Sequence, residues 1–388
     1  MRILVVHSFY RAALPSGEND VVAGQVALLQ ESGHDVLLWS RSTPNEISTT
    51  QKVATGFRVV TGSGADPTSA INDFQPDMVH VHNLFPNIST SWMKSCGVPT
   101  AMTLHNYRTV CANGVLSRKS SPCTKCLSGS RLAAVRYGCY RESSLATLPI
   151  LSYQQHLRRV IESHIDLLVF PSQLSADVLS PRLPHQSSVV LPNYVPNIEM
   201  CDSQLVDPEQ EYFLVLGRLT PEKGVAQLLR MWPQDRRLIV AGEGPQRSEL
   251  ETIAVGKDVV FPGFVTPDIR DPLIQHARAL ILPSVTLEAD PVTVAQALSA
   301  GTPCVTWAAT STAQLASRSS AILTYDSQEE LIDALNATND QVRRIEARSF
   351  YESRWSAAAW LNNYRTGVVS TLLPHGGHST DASLWSIQ

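Results

Sequence analysis

Tyr212-Phe-Leu-Val-Leu-Gly-Arg-Leu-Thr-Pro-Glu-Lys-Gly224 reads in two parts. Residues 212–216 are a short apolar run of aromatic and branched side chains, the pattern of a strand buried on both faces. The loop that follows, residues 217–224, is bounded by Gly217 and Gly224 and carries Arg218 and Lys223. Pro221 suits the first turn of a following helix. A buried strand running into such a loop and then a helix is the repeating unit of a parallel sheet. A strand end with a planar guanidinium and a mobile ammonium is also a good place for an anion. A solvated loop that happens to be basic accounts for the same residues.

Working outward, similar apolar runs recur at residues 237–241, 259–261, 279–282, 303–307 and 321–324, and upstream at 3–6, 35–39, 78–81, 100–104, 167–170 and 188–191. Residues 20–32 place Val21, Val22, Val26, Leu28 and Leu29 on one broad apolar face, and Gly33 stops that helix. The Pro- and Asn-rich stretch 191–197 and the polar stretch 201–210 separate the two series of strands. The expected fold is therefore α/β, with two Rossmann-like doubly wound domains at 1–197 and 198–365 facing across a cleft. Residues 341–369 read as one or two Trp- and Tyr-rich helices, the last crossing back to brace the first domain. Residues 366–388, rich in Gly, Ser and His from 374 onward, are expected to form a disordered tail. Open α/β sheets bind ligands at the carboxyl ends of their strands, so the site should use loops of both halves.

Composition narrows the function. The chain has 388 residues, 31 Lys and Arg and 35 Asp and Glu, a formal charge of −4, and no basic run, which argues against nucleic acid as a partner. At 43% apolar and 17% charged it is not a disordered, charge-rich chain. No apolar run approaches the ~18 residues of a membrane span, and residues 3–6 are too short for a signal-peptide core, so a cytoplasmic location is expected. Seven cysteines, an odd number, fit a reducing compartment better than a disulfide framework.

The second chemical feature spans residues 283–303. Asp290 and Pro291 look like a helix start and Gly301 a helix stop. The amides of Val292, Thr293 and Val294 would then be free to meet an anion. Glu288 lies just before them, where a carboxylate would repel phosphate; a role on sugar hydroxyls is sensible, and a charge complementing the helix dipole is the plain alternative.

Taken together these residues resemble the family-4 retaining glycosyltransferases of the GT-B fold. The family's Arg-x4-Lys pair is matched by Arg218 and Lys223 after Gly217, its carboxylate element runs from Glu288 to position 296, and its Gly-x-Pro tail is Gly301-Thr302-Pro303. Ser299 stands where the family usually has alanine. Gly242-Glu-Gly-Pro245, Leu250-Glu251, Ser16-Gly17-Glu18, Gly33-His34-Asp35-Val36, residues 77–82 and Thr103-Leu-His-Asn106 extend the match over residues 1 to 365. Their order and spacing, rather than any one piece, carry it. The rest follows from the resemblance. The donor is a nucleoside-diphosphate sugar, of UDP-sugar type. Arg218, Lys223 and the helix start at 292–294 neutralise its diphosphate, no catalytic metal is expected, and Glu288 holds hydroxyls of the transferred sugar. Gly17 allows close approach of backbone to the phosphates, and His105 faces the donor sugar, although a structural role for that histidine stays open. Gln296 replaces the family's second glutamate, which accepts from the ribose hydroxyls; an amide oxygen still accepts, without charge assistance. A nucleotide-sugar 2-epimerase would want further carboxylates around the sugar, and an inactive nucleotide-sugar-binding regulator has Gln296 alone in its favour.

The acceptor is a hydroxyl compound that the sequence does not name: a glycan, a lipid-linked intermediate or a natural product. His82 and Asn83 are acceptor-side candidates or a structural pair. Cys111, Cys123, Cys126 and Cys139, spaced C-x11-C-x2-C-x12-C, could hold a structural zinc ion in an insert near the acceptor side, with free thiols or one disulfide as alternatives. Cys96, Cys201 and Cys304 read as ordinary thiols. Arg131, Arg136, Arg141, Arg158 and Arg159 read as a solvated face rather than a peripheral membrane contact.

Overall fold

The computed structural model describes residues 1–10, 16–45, 48–183, 187–199, 210–310 and 312–374. The polar stretch 201–209 with Cys201, and the tail beyond residue 374, lie outside the described residues. The chain divides into two compact units. Unit 1 comprises Met1–Leu116, Thr124–Tyr194 and the chain from Ala357, and unit 2 comprises Ser117–Cys123 and Val195–Ser356.

Unit 1 is built on six parallel strands, β1 (Arg2–Phe9), β2 (Asp35–Ser42), β3 (Met78–Val81), β4 (Thr100–Thr103), β5 (Leu167–Phe170) and β6 (Ser187–Val190), in the order β2-β1-β3-β4-β5-β6. The central strands are buried on both faces, which is why they read as unbroken apolar runs. Helix Gly17–Glu31 returns the chain from β1 to β2 and buries Val22, Val26 and Leu29 against Ile3 and Val5. It stops at Ser32, with Gly33 in the left-handed region at φ 81° and the His34 amide on the Leu29 carbonyl at 3.1 Å. Order reverses between β1 and β3, so the loops after those two strands face the crevice of this sheet.

The carboxyl-terminal end corrects the expected tail. Residues 366–372 are helical: helix Ala357–Asn363 continues as a π-helical stretch Tyr364–Val369 and a short turn Ser370–Leu372. Trp360, Leu361, Tyr364 and Val368 join the unit 1 core. Gly367 lies so close to β6 that a Cβ there would sit 2.8 Å from Val189 Cγ2.

Unit 2 has six parallel strands, β7 (Phe213–Leu216), β8 (Leu238–Ala241), β9 (Val259–Gly263), β10 (Leu280–Leu282), β11 (Cys304–Trp307) and β12 (Ile322–Tyr325), in the order β9-β8-β7-β10-β11-β12. This is the 3-2-1-4-5-6 winding of dinucleotide-binding sheets. Alternate residues of β7 feed two cores: Leu214 packs with Val294, Leu298 and Trp355, whereas Phe213 and Val215 pack with Leu228, Leu229 and Trp232. Here the order reverses between β7 and β10, so the crevice falls at the loops that carry Arg218, Lys223 and Glu288.

Candidate functional site

The unit 2 loops are held together by backbone. Gly217 ends β7 and its amide donates to Ala241 of β8 at 3.1 Å; Gly242 ends β8 and donates to Gly263 of β9 at 2.8 Å. A Cβ on Gly242 would come within 1.8 Å of the Gly217 carbonyl oxygen, so only glycine permits this approach. Beyond Gly217, Pro221 opens a single 3-10 turn, Pro221–Lys223, before helix Val225–Met231. Gly224, at φ 69°, lies against the Pro283 carbonyl, 2.0 Å from where its Cβ would be, and the Val285 amide donates to the Glu222 carbonyl at 3.0 Å. These contacts seam the loops after β7 and β10 along the switch point.

Three of the expected residues meet on this seam. Lys223 Nζ lies 2.7 Å from Glu288 Oε1, and the Ser284 hydroxyl donates to the same oxygen at 2.6 Å. Burial by itself would raise the Glu288 carboxyl; the Lys223 ammonium and its hydrogen bond, the Ser284 hydroxyl and the Arg218 charge together hold it below its ordinary value. Arg218 pairs loosely with Glu222 at 3.8 Å, and its side chain is half exposed, so the guanidinium can turn to a ligand. The helix that follows is Val292–Ser299, capped by Pro291. Its Val294 amide is not free as expected, since it donates to the Pro291 carbonyl at 3.0 Å, leaving Val292 and Thr293 as the first amides of the turn. Asp290, just before Pro291, accepts from the Trp355 indole at 3.3 Å, which ties the loop to that residue. Gln296 lies one turn beyond Val292 on the same helix. Ser299, buried, donates to the Gln296 carbonyl at 2.8 Å and receives the Ile198 amide at 3.4 Å, a tie that alanine could not make.

Unit 1 gathers polar residues at its own switch point. Gly17 is the first residue of helix Gly17–Glu31 and is exposed. His105 follows β4, and its Nε2 lies 2.8 Å from His82 Nδ1, the two rings stacked at 5.1 Å. His80 Nε2 lies 2.8 Å from the Thr103 hydroxyl and its Nδ1 3.2 Å from the Tyr364 hydroxyl. His7 contacts Asn19 Oδ1 at 3.2 Å. Burial lowers all four imidazoles, His7 to about 4, His80 and His105 to about 3 and His82 well below its ordinary value. Burial thus favours the neutral form of all four rings, and of the four His82 and His105 are the pair hydrogen-bonded to each other. Alternation places His80 and His82 on one face, as expected, but His80 is committed inside the core while His82 supports His105. The neighbouring Glu18, which motif reading left without a role, is the residue that sequence reasoning missed.

Among the described residues no group of three or more His, Cys, Asp or Glu side chains is placed to hold a metal ion, so nothing in the structure supports the zinc expected at Cys111, Cys123, Cys126 and Cys139; the Cys111 thiol donates to Asn113 Oδ1 at 2.9 Å. Among the described residues no helix is long and apolar enough to cross a membrane.

Two parallel sheets wound in these orders, one carrying a cationic loop at its switch point, define the GT-B fold of glycosyltransferases. Residues 210–340, within unit 2, match the family model described as glycosyl transferases group 1. The chain is similar to two uncharacterized glycosyltransferases. One, of Methanocaldococcus jannaschii, is 35% identical over 109 residues, 26% of this chain and 28% of the relative. The other, YqgM of Bacillus subtilis, is 25% identical over 222 residues, 54% of this chain and 52% of the relative. The match thus spans at most about half the length of these curated relatives. Among solved structures, Anabaena HepE in complex with UDP superposes with a TM-score of 0.61 at 14% identity, over 94% of this chain and 99% of that one.

Proposed function

We propose that this chain is a retaining glycosyltransferase that moves a sugar from a nucleoside-diphosphate sugar to an acceptor hydroxyl. The observation that carries the reading is the seam in unit 2, where Arg218, Lys223 and Glu288 converge at the switch point of a dinucleotide-type sheet. Arg218, Lys223 and the Val292 and Thr293 amides receive the diphosphate. Their charge sits where the leaving group develops its own, so it stabilises the transition state more than the ground state. Removing one such donor typically costs about 2.7–4 kcal/mol, or on the order of 10²–10³ in rate. Lys223 and Ser284 both bind Glu288 Oε1, which leaves Oε2 for hydroxyls of the transferred sugar. Gln296 accepts from the ribose hydroxyls, and His105 of unit 1, lowered by burial and oriented by His82, has one ring nitrogen left for a ligand hydroxyl. HepE, solved with UDP, favours a uridine donor.

The test is a thermal-shift screen against nucleoside diphosphates and nucleotide sugars. A ligand that binds only the folded protein at a hundredfold excess over Kd adds about 2.7 kcal/mol. A shift with UDP or a UDP-sugar that vanishes in Arg218→Ala is expected; no shift with any of the panel refutes the reading.

A further inference from the structure

Glu18 lies in the first turn of helix Gly17–Glu31, at the unit 1 switch point, and it is the carboxylate among the described residues that line a cavity there. It lines a cavity of about 30 Å³ together with His82, Asn83, His105, Asn106 and Arg108. Its Oε2 receives the Asn106 amide at 3.2 Å, while Asn106 Oδ1 accepts from the Arg108 backbone amide at 3.0 Å, so both the amide and the carboxylate are fixed in orientation. Oε1 is buried and receives no hydrogen bond at bonding distance, with the Tyr10 hydroxyl as a polar neighbour of the carboxylate. Two further polar atoms of the cavity wall, Arg108 Nε and the Thr109 hydroxyl, are buried in the same condition. The Arg108 guanidinium cannot swing away, because it stacks on the Phe85 ring at 4.6 Å and donates to the Ala112 carbonyl at 3.2 Å. Buried polar atoms are normally hydrogen-bonded, so three unpaired ones on the wall of one cavity mark a place for a polar ligand group.

The chemistry of the wall selects what can enter. An ammonium would meet the fixed Arg108 charge, an anion would meet the Glu18 carboxylate, and an apolar group would leave three polar atoms unpaired. A hydroxyl suits all three, because it can donate to Oε1 and accept from Arg108 or Thr109. The cavity has room for about two water-sized groups, hence a hydroxyl with the carbon that bears it rather than a whole sugar ring. We infer that Glu18 Oε1 receives a hydroxyl of a neutral polyol acceptor whose hydroxylated end enters this cavity. The assignment rests on the glycosyl-transfer reading only in calling that polyol the acceptor.

Glu18 reports on its own occupancy. Burial raises its carboxyl to about 7, against the lowering effects of the Asn106 amide, the Arg108 charge and the Tyr10 hydroxyl; Tyr153 and the neutral His82 and His105 are the other titratable groups around it. A donated hydroxyl favours the ionised form and must lower that value. The experiment is a carbon-13 NMR titration of the Glu18 carboxyl in the full chain, assigned by its loss in Glu18→Gln or, should that variant not fold, by its displacement in Glu18→Asp. It is run alone and with rising methyl α-D-glucopyranoside, sorbitol, glucosamine or glucose 6-phosphate as probes. The neutral polyols should lower the proton affinity of Glu18 by about threefold or more, with the two charged sugars doing less. A midpoint unmoved by both neutral probes, or moved more by a charged one, overturns the assignment. The same titration in Arg218→Ala should be unchanged although nucleotide binding is gone, so failure of the donor site and failure of this one are separate results.

Discussion

Gly224 and Gly256 form a matched pair for testing the seam between the loops after β7 and β10. Both are in the left-handed region, at φ 69° and 82°, but a Cβ on Gly256 meets nothing within 4 Å whereas one on Gly224 lies 2.0 Å from the Pro283 carbonyl oxygen. Alanine at either position carries the left-handed penalty of about 1–2 kcal/mol. At Gly224 the two loops must also part by about 1 Å to reach the 3.0 Å that real Cβ contacts respect, an overpacking cost of roughly 1–3 kcal/mol. For a domain of this size each kcal/mol is worth about 2–4 °C, so Gly224→Ala should melt about 2–12 °C below Gly256→Ala. Because the displaced loops carry Lys223 and Glu288, the Gly224 variant should also lose nucleotide-induced stabilisation, while the Gly256 variant keeps it. Melting curves with and without UDP measure both. Equal melting points for the two variants would show that Pro283 does not pack on Gly224, and the seam as described would be wrong.

Three further outcomes are expected. Gln296→Glu should tighten UDP binding in calorimetry without slowing sugar transfer; unchanged affinity removes the ribose role. The Glu288 carboxyl is held below its ordinary value, so its stabilisation is present above the unfolded carboxylate range and is lost as pH falls through its folded value. Wild-type protein should therefore lose thermal stability in acid more steeply than Glu288→Gln, and parallel curves would contradict the Lys223 pairing. Buried neutral histidines work in the same direction at higher pH: His7, lowered from 6.5 to about 4, and His80, lowered to about 3, stay unprotonated in the fold while the unfolded chain takes up protons below pH 6.5. Unit 1 should lose up to about 1.4 kcal/mol per pH unit for each such histidine, read as a falling urea midpoint between pH 6.5 and 4, and a flat midpoint would place these rings in water.

What the sequence made legible follows from how each feature is encoded. The twelve strands of the two parallel sheets lie at expected runs, the central ones because a parallel strand buried on both faces must be apolar along its length, as Phe213–Leu216 and Leu280–Leu282 are; the short antiparallel pair Ser117–Arg118 and Ser121–Pro122 has no such run. The loops bearing Arg218, Lys223 and Glu288 were legible because they directly follow such strands. Features set by distant partners were not. Asp290 signals a helix start, but Trp355, 65 residues away, claims its carboxylate. Glu18 is one acid among many until Asn106, 88 residues on, fixes it beside a cavity. Gly367 is unremarkable in the sequence until β6 comes against it. The cysteine spacing suits zinc, but among the described residues no three such side chains are grouped to hold a metal ion.

The place of Trp360, Leu361, Tyr364 and Val368 in the unit 1 core has a consequence for how the chain is made. Unit 1 begins with β1, which is synthesised well before unit 2, yet its core is finished only by residues beyond 356. Synthesis of the intervening residues 195–356, all of them in unit 2, takes on the order of 8–30 s at about 5–20 residues per second. Throughout that interval the His80 imidazole lacks its Tyr364 partner and the sheet of unit 1 lacks its closing helix. The second half of the protein is thus ready to fold before the first, and the nascent chain carries an unfinished, apolar-faced sheet that chaperones would hold until the last turns of helix arrive.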